Sequence, residues 1–199
     1  MTIAHRKPRT DTRDELIRVG AEIIAQKGFN NTGLEEILKA AGVPKGSFYY
    51  YFDSKEDFGL AVVDSMATDV QEHICRLLKD SAAPPLQRIR DWIEAGIDRM
   101  DVVSCCRGCP IGSLSQEMAS QHDVFRRRLE DIFQQWKASL ATVLEEARAA
   151  GEIRPDSDVD ALAECLLMGW EGASLRAIVT KSTKPLEQFR DILFTRVLV

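Results

Sequence analysis

The stretch LEEILKAAGVPKGSFYYYFDSKEDF, residues 34–58, constrains this chain more than any other. LEEILKAA has room for about two helical turns, and Gly42 supplies the left-handed backbone that ends a helix without steric penalty. A second short helix begins near Pro44, because a first turn does not need the N–H that proline lacks. Helix, glycine turn and helix in so short a span is the layout of a helix-turn-helix. On the second helix Tyr49, Tyr50 and Tyr51 are consecutive, so packing a small three-helix core cannot account for all of them: three adjacent helical side chains cannot all point inward. They stand between Lys45 and Lys55. Phenol hydroxyls donate to phosphate oxygens and lysines pair with them, so this surface suits a sugar-phosphate backbone.

The same grammar runs along the chain. Thr12-x-x-Glu15 reads as a capping box before Leu16, Val19, Gly20, Ile23 and Ile24 at helical spacing, and Gly28 ends that helix. Thr32-x-x-Glu35 reads as the cap of the next, with Leu34, Ile37, Leu38 and Ala41 as its inner face. Ser54-x-x-Asp57 opens a long helix to about Lys79, with Phe58, Ala61, Val62, Met66, Val70, Ile74 and Leu77 on one side. Pro84 and Pro85 block continuation. The spacing then predicts helices over 86–103, 110–120, 123–149, 158–180 and 185–198. No strand alternation and no repeat is seen. The expectation is an all-α protein of about nine helices: a three-helix head at residues 10–70 and a helical body at residues 71–199.

Composition bears on partners through its distribution. The chain of 199 residues carries a net charge of −5, yet residues 1–60 hold nine Lys/Arg against nine Asp/Glu, so the whole deficit lies beyond them. Arg6, Lys7, Arg9 and Arg13 make a small basic arm able to follow phosphates, or simply a solvated terminus. No apolar run approaches the roughly 18 residues of a membrane span, and the start lacks the apolar stretch of a signal peptide. A cytoplasmic protein with reduced cysteines is expected. His5 falls in the arm, and His73 reads as solvated.

Residues 11–58 resemble the TetR family of bacterial transcriptional repressors. The family's run is a glycine turn, Lys-Gly-Ser/Thr, an aromatic stretch ending in Phe, then Ser-Lys-Glu; here it is Gly42, Lys45-Gly46-Ser47, Phe48 to Phe52, and Ser54-Lys55-Glu56. The resemblance implies that Ser47, Tyr49, Tyr50 and Tyr51 project to bases and phosphates. It implies that Lys45 and Gly46 bring the helix start to phosphate, and that Lys55 makes a phosphate contact. Thr32 would cap its helix and could also meet phosphate. Glu35 stands where many relatives carry a basic residue, so the operator sequence does not carry over.

A second informative run is Ser104-Cys105-Cys106-Arg107-Gly108-Cys109-Pro110. With Pro110 as first helical residue, Cys109 becomes the N-cap, where orphan N–H groups and the positive helix end favour a thiolate. Arg107 would add a cation. Cys105 or Cys106 could then resolve an oxidised sulfur. The run resembles that of electrophile-sensing TetR relatives, which implies Cys109 as the sensing position. Two other readings stand beside it. The cysteines can be small packing residues at a bundle turn. Cys106-x-x-Cys109 also has metal-ligand spacing, but no second pair accompanies it and His122 is a lone candidate. No cofactor or metal is expected. Cys75 and Cys165, on mainly apolar faces, are expected to label slowly. Trp92, Trp136 and Met168 read as core, in a body that could enclose an apolar pocket.

The last two helices are apolar on more than one face, which suits a second copy as well as an intrachain core; the resemblance implies a homodimer through these helices. Trp170, Gly169, Gly172 and Ala173 would let helices approach closely. The reading is a non-enzymatic, homodimeric DNA-binding regulator, a repressor released from a palindromic operator by a small molecule, electrophile or oxidant. Its rivals are a thiol-disulfide enzyme using Cys106 and Cys109, which lacks the expected strands, and a helical interaction module.

Overall fold

A computed structural model describes residues 9–80 and 82–198. Among these, nine α-helices follow one another and no strand occurs. The basic arm at Arg6 and Lys7 lies outside the described residues.

The head is α1 (Arg9–Lys27), α2 (Leu34–Ala41) and α3 (Lys45–Tyr51). Gly28 closes α1 at φ 81° and Gly42 closes α2 at φ 66°, both as the sequence requires. Two caps differ from expectation. α1 begins upstream of Thr12, which is therefore interior rather than a cap. The N-cap of α2 is Gly33, without a side-chain cap; Thr32 is buried and its hydroxyl donates to the Gly28 carbonyl at 2.6 Å. The threonine closes the turn instead of starting the helix, one of the local bonds that compete with capping.

α4 (Lys55–Leu78) starts as predicted, with Ser54 Oγ accepting from the Asp57 N–H at 3.0 Å. It buries Phe58, Val62 and Val63 against the head, then Met66, Ile74 and Leu78 in the body. One helix thus spans both parts. α5 (Pro85–Val102), α6 (Pro110–Met118) and α7 (Asp123–Ala149) complete a bundle around it. α7 places Phe125, Leu129, Ile132, Trp136, Leu140 and Leu144 inward, the a/d-like spacing of a bundle helix. Buried Arg88 fastens the start of α5: its guanidinium donates to the Leu78 carbonyl at 2.8 Å and pairs with Glu146 of α7.

α8 (Val159–Thr180) and α9 (Lys184–Ile192) pack on the outside of the bundle, and α9 runs on into a π-helical turn at Leu193–Val197. Here Gly169 serves the chain itself, since a Cβ there would strike the Phe189 ring. Trp170 turns inward, its ring 5.1 Å from that of Trp92. Leu193 is likewise buried within the single chain.

Candidate functional site

Two regions gather the chemistry: the outer face of α3, and a cavity inside the body. On α3, Phe48 is fully buried and stacks with Phe52 and Phe58 at centroid distances of 5.3 and 5.5 Å. That aromatic anchor fixes the helix's rotation. Tyr49 and Tyr50 therefore stand outward at 55% and 58% exposure, while Tyr51 packs partly against the core. Lys45 and Gly46 are exposed at the start of the helix, and Ser47 beside them is half-buried. Lys45 has one acidic neighbour, Glu35 of α2, at 4.0 Å. Arg13 of α1 covers the Phe52 ring at 5.2 Å.

Thr32 and Lys55 are placed differently. Thr32 is buried, as described. Lys55 reaches inward: its ammonium donates to the Phe29 carbonyl at 3.0 Å and lies 4.4 Å from the centre of that ring. Burial lowers its pKa, partly offset by Glu117.

The cavity holds about 540 Å³, within the range of small-molecule sites. α1, α4, α5, α6, α7 and α8 all contribute to its wall. Its apolar lining includes Met66, Trp92, Met100, Trp136, Leu140 and Trp170, so two of the three tryptophan-and-methionine positions expected in the core, Trp92 and Trp136, are also lining. Met168, the third, is exposed. The polar lining is sparse: His73, Arg99, Cys106, Arg107, Cys109, Glu117 and Glu171 stand out. His73 is not solvated; its Nε2 is buried without a hydrogen-bond partner, and burial, then Arg99 and Arg76, lower its pKa.

The cysteine turn forms at 104–109. Ser104 and Cys105 take left-handed backbone, φ 49° and 50°, which sends Cys105 into the core and leaves Cys106 exposed. Cys109 is the N-cap of α6, its sulfur accepting from the Gly112 N–H at 3.4 Å. The expected thiolate does not follow. Burial pushes the Cys109 thiol well up, the charge and hydrogen bond of Glu171 push the same way, and the Gly112 N–H only partly offsets them. Desolvation first, and the Glu171 carboxylate second, outweigh the helix end. Cys106 and Cys109 share the cavity wall; Cys105 does not.

Two acids missed in the sequence complete the arrangement. Glu117, on α6, lines the cavity and accepts from the Phe29 and Asn30 N–H groups of the head, at 2.9 and 2.6 Å. A Cβ at Gly28 would lie 2.6 Å from its Oε2, so that glycine is needed for space as well as for its φ. Glu171 sits beside Cys109. Glu171 is an isolated acid in an apolar stretch, LLMGWEGASL, and that was the available signal; Glu117, in SLSQEM, carried none.

Family comparison fits this geometry. Residues 16–62 match the model of bacterial regulatory proteins of the tetR family, and residues 85–193 match the tetracyclin repressor-like C-terminal domain. This chain belongs to the TetR family. Among its TetR relatives, the transcriptional regulator AcuR of Cereibacter sphaeroides is 42% identical over 87% of this chain and 80% of its own length. The HTH-type transcriptional repressor DhaR of Mycobacterium sp. (strain GP1) is 36% identical over 96% of this chain and 94% of its own. The crystal structure of the reduced form of E. coli NemR superposes with a TM-score of 0.88 at 29% identity, covering 95% of this chain and 97% of that one. The chain is thus a DNA-binding transcriptional regulator, and α3 lies inside the matched N-terminal region.

Proposed function

We propose that the chain is a homodimeric repressor, held on a palindromic operator and released when a small molecule or electrophile reaches the body cavity. Glu117 carries this reading: one carboxylate both lines the cavity and holds two N–H groups of the head. A ligand that moves α6 must strain or break those bonds, and any difference in its affinity for the two arrangements shifts the head population. DhaR, and NemR of E. coli, which is 31% identical to this chain, are both repressors.

In the head, Lys45, Gly46, Ser47, Tyr49, Tyr50 and Tyr51 make the DNA contacts. Two such heads reach successive major grooves, roughly 34–36 Å apart. In the body, Cys109 is the sensing thiol and Cys106 its partner. No helix of the described residues is long and apolar enough to cross a membrane, which suits a cytoplasmic regulator. The thiol-disulfide enzyme is disfavoured by the family and by the lack of strands among the described residues.

Footprinting of the DNA upstream of the chain's own coding region tests this, with and without added electrophile. A protected palindrome that reappears unprotected after treatment is expected. Equal binding to operator and random DNA would end the reading. Cys109→Ser should keep the footprint and lose the release.

A further inference from the structure

Glu171 and Cys109 form a pair that the sensing reading does not explain. Gly112 has no side chain, and a Cβ there would lie 2.0 Å from Glu171 Oε2. The bare backbone of the first turn of α6 therefore lets a carboxylate from α8 settle beside the N-cap sulfur. That same Cβ would lie 3.6 Å from the Cys109 Cβ, so carboxylate and N-cap cysteine flank one backbone position. The second carboxylate oxygen, Oε1, is buried and has no partner. Both residues line the cavity, so whatever enters meets them together.

We propose that Glu171 gates Cys109: its carboxylate keeps the sulfur protonated and slow to react, and the thiol becomes a nucleophile when that charge is neutralised or moved away. This rests on Cys109 being the sensing thiol and names what controls it. An anion beside a thiol opposes a second negative charge, and partial burial strengthens that opposition. The other charged groups of the cavity do not replace Glu171. His73 of α4, Arg99 of α5 and Arg107 of the turn form no ion pair with it, and Glu117 is engaged with the head. Arg99 and Arg107 are exposed. The unpartnered Oε1 is where a donor on an incoming molecule would draw charge from the carboxylate.

The probe reaction is addition to a small α,β-unsaturated carbonyl compound. Sulfur bonds the β-carbon, the C=C electron pair moves to the α-carbon, and that carbon takes up one proton while the thiol gives one up, so no oxidant is needed.

Acrylamide is the probe, with adduct at Cys109 followed by mass spectrometry from pH 6 to 10 in the full chain. Glu171→Gln keeps shape and hydrogen bonding but removes the charge. Its Cys109 should react several-fold faster at pH 7, about threefold for each pKa unit removed once the weaker nucleophilicity of a more acidic thiol is included. The midpoint of its rate–pH curve should fall. Glu171→Asp should stay closer to the parent. An unchanged rate and midpoint in Glu171→Gln overturns the gate, and a slower rate replaces it with a proton-accepting role. DNA release is scored in the same samples. Faster alkylation with DNA still bound keeps the gate and removes the sensing reading; release by acrylamide with no change of rate does the reverse.

Discussion

At the scale of single residues, rotation of α3 decides which side chains DNA can meet. Phe48 is clamped by Phe52 and Phe58, so Tyr49 and Tyr50 are held outward by packing they do not themselves provide. We predict that Tyr49→Ala or Tyr50→Ala weakens operator binding by about 1–3 kcal/mol per half-site, and that one of them relaxes sequence preference. Equal operator and random-DNA affinities for parent and both variants would remove α3 from the interface. Glu35 makes a second test. It stands 4.0 Å from Lys45 and places a negative charge where phosphate must approach. Glu35→Gln should tighten binding to all sequences alike, with little change in stability because both groups are exposed. An affinity gain confined to the operator would count against this. Lys55 divides two roles by the same logic. With its ammonium on the Phe29 carbonyl, Lys55→Ala should lower stability and leave the salt slope of binding unchanged. A slope reduced by about one would instead give it a phosphate contact.

At the scale of elements, α6 is the short helix that meets both sites: Cys109 caps its start and Glu117 near its end holds the turn between α1 and α2. Hydrogen bonds to a charged acceptor contribute about 1.5–3 kcal/mol each. Glu117→Ala should therefore lower unfolding stability by a few kcal/mol. It should also alter DNA affinity without altering sequence preference, since the tyrosines are untouched. Urea melts together with binding to operator and random DNA would check both; unchanged melts would mean that the contact couples nothing. The difference between what the sequence made legible and what it hid follows from the same helix. Element order, the glycine stops, the Ser54 cap and the Cys109 N-cap were legible because they depend on neighbours in the chain. Thr32 misled because its hydroxyl donates to the Gly28 carbonyl in the preceding turn instead of accepting from the first N–H groups of α2. Glu117 was hidden because its partners lie 87 and 88 residues away. The upward push on the Cys109 thiol was hidden for the same reason: the helix end is local, while burial and Glu171 come from packing against other helices. Cys165 reversed expectation too, being exposed because α8 turns that side outward.

At the scale of the whole molecule, exposed apolar side chains among the described residues line up on the outer side of α8. Met168, Leu175 and Val179 are exposed, and with exposed Gly172 they recur at the intervals of a single helical stripe. Nothing lies within 4 Å of a Cβ built at Gly172, so a second helix could come close there. We propose that this stripe, with Ile192 of α9 also exposed, meets its symmetry mate. Leu193 is the wrong position to test it: buried in the single chain, a glutamate there would damage the fold before reporting on assembly. Val179 is 65% exposed, so Val179→Glu should leave the helical signal and the melting of the protomer nearly unchanged. At a two-fold interface the same substitution buries two carboxylates near each other, without partners. Sedimentation should then show monomers, and operator affinity should fall steeply while the weak binding of a single head to random DNA persists, because each head still folds. A Val179→Glu protein that sediments as a dimer with full operator affinity would move the interface off α8.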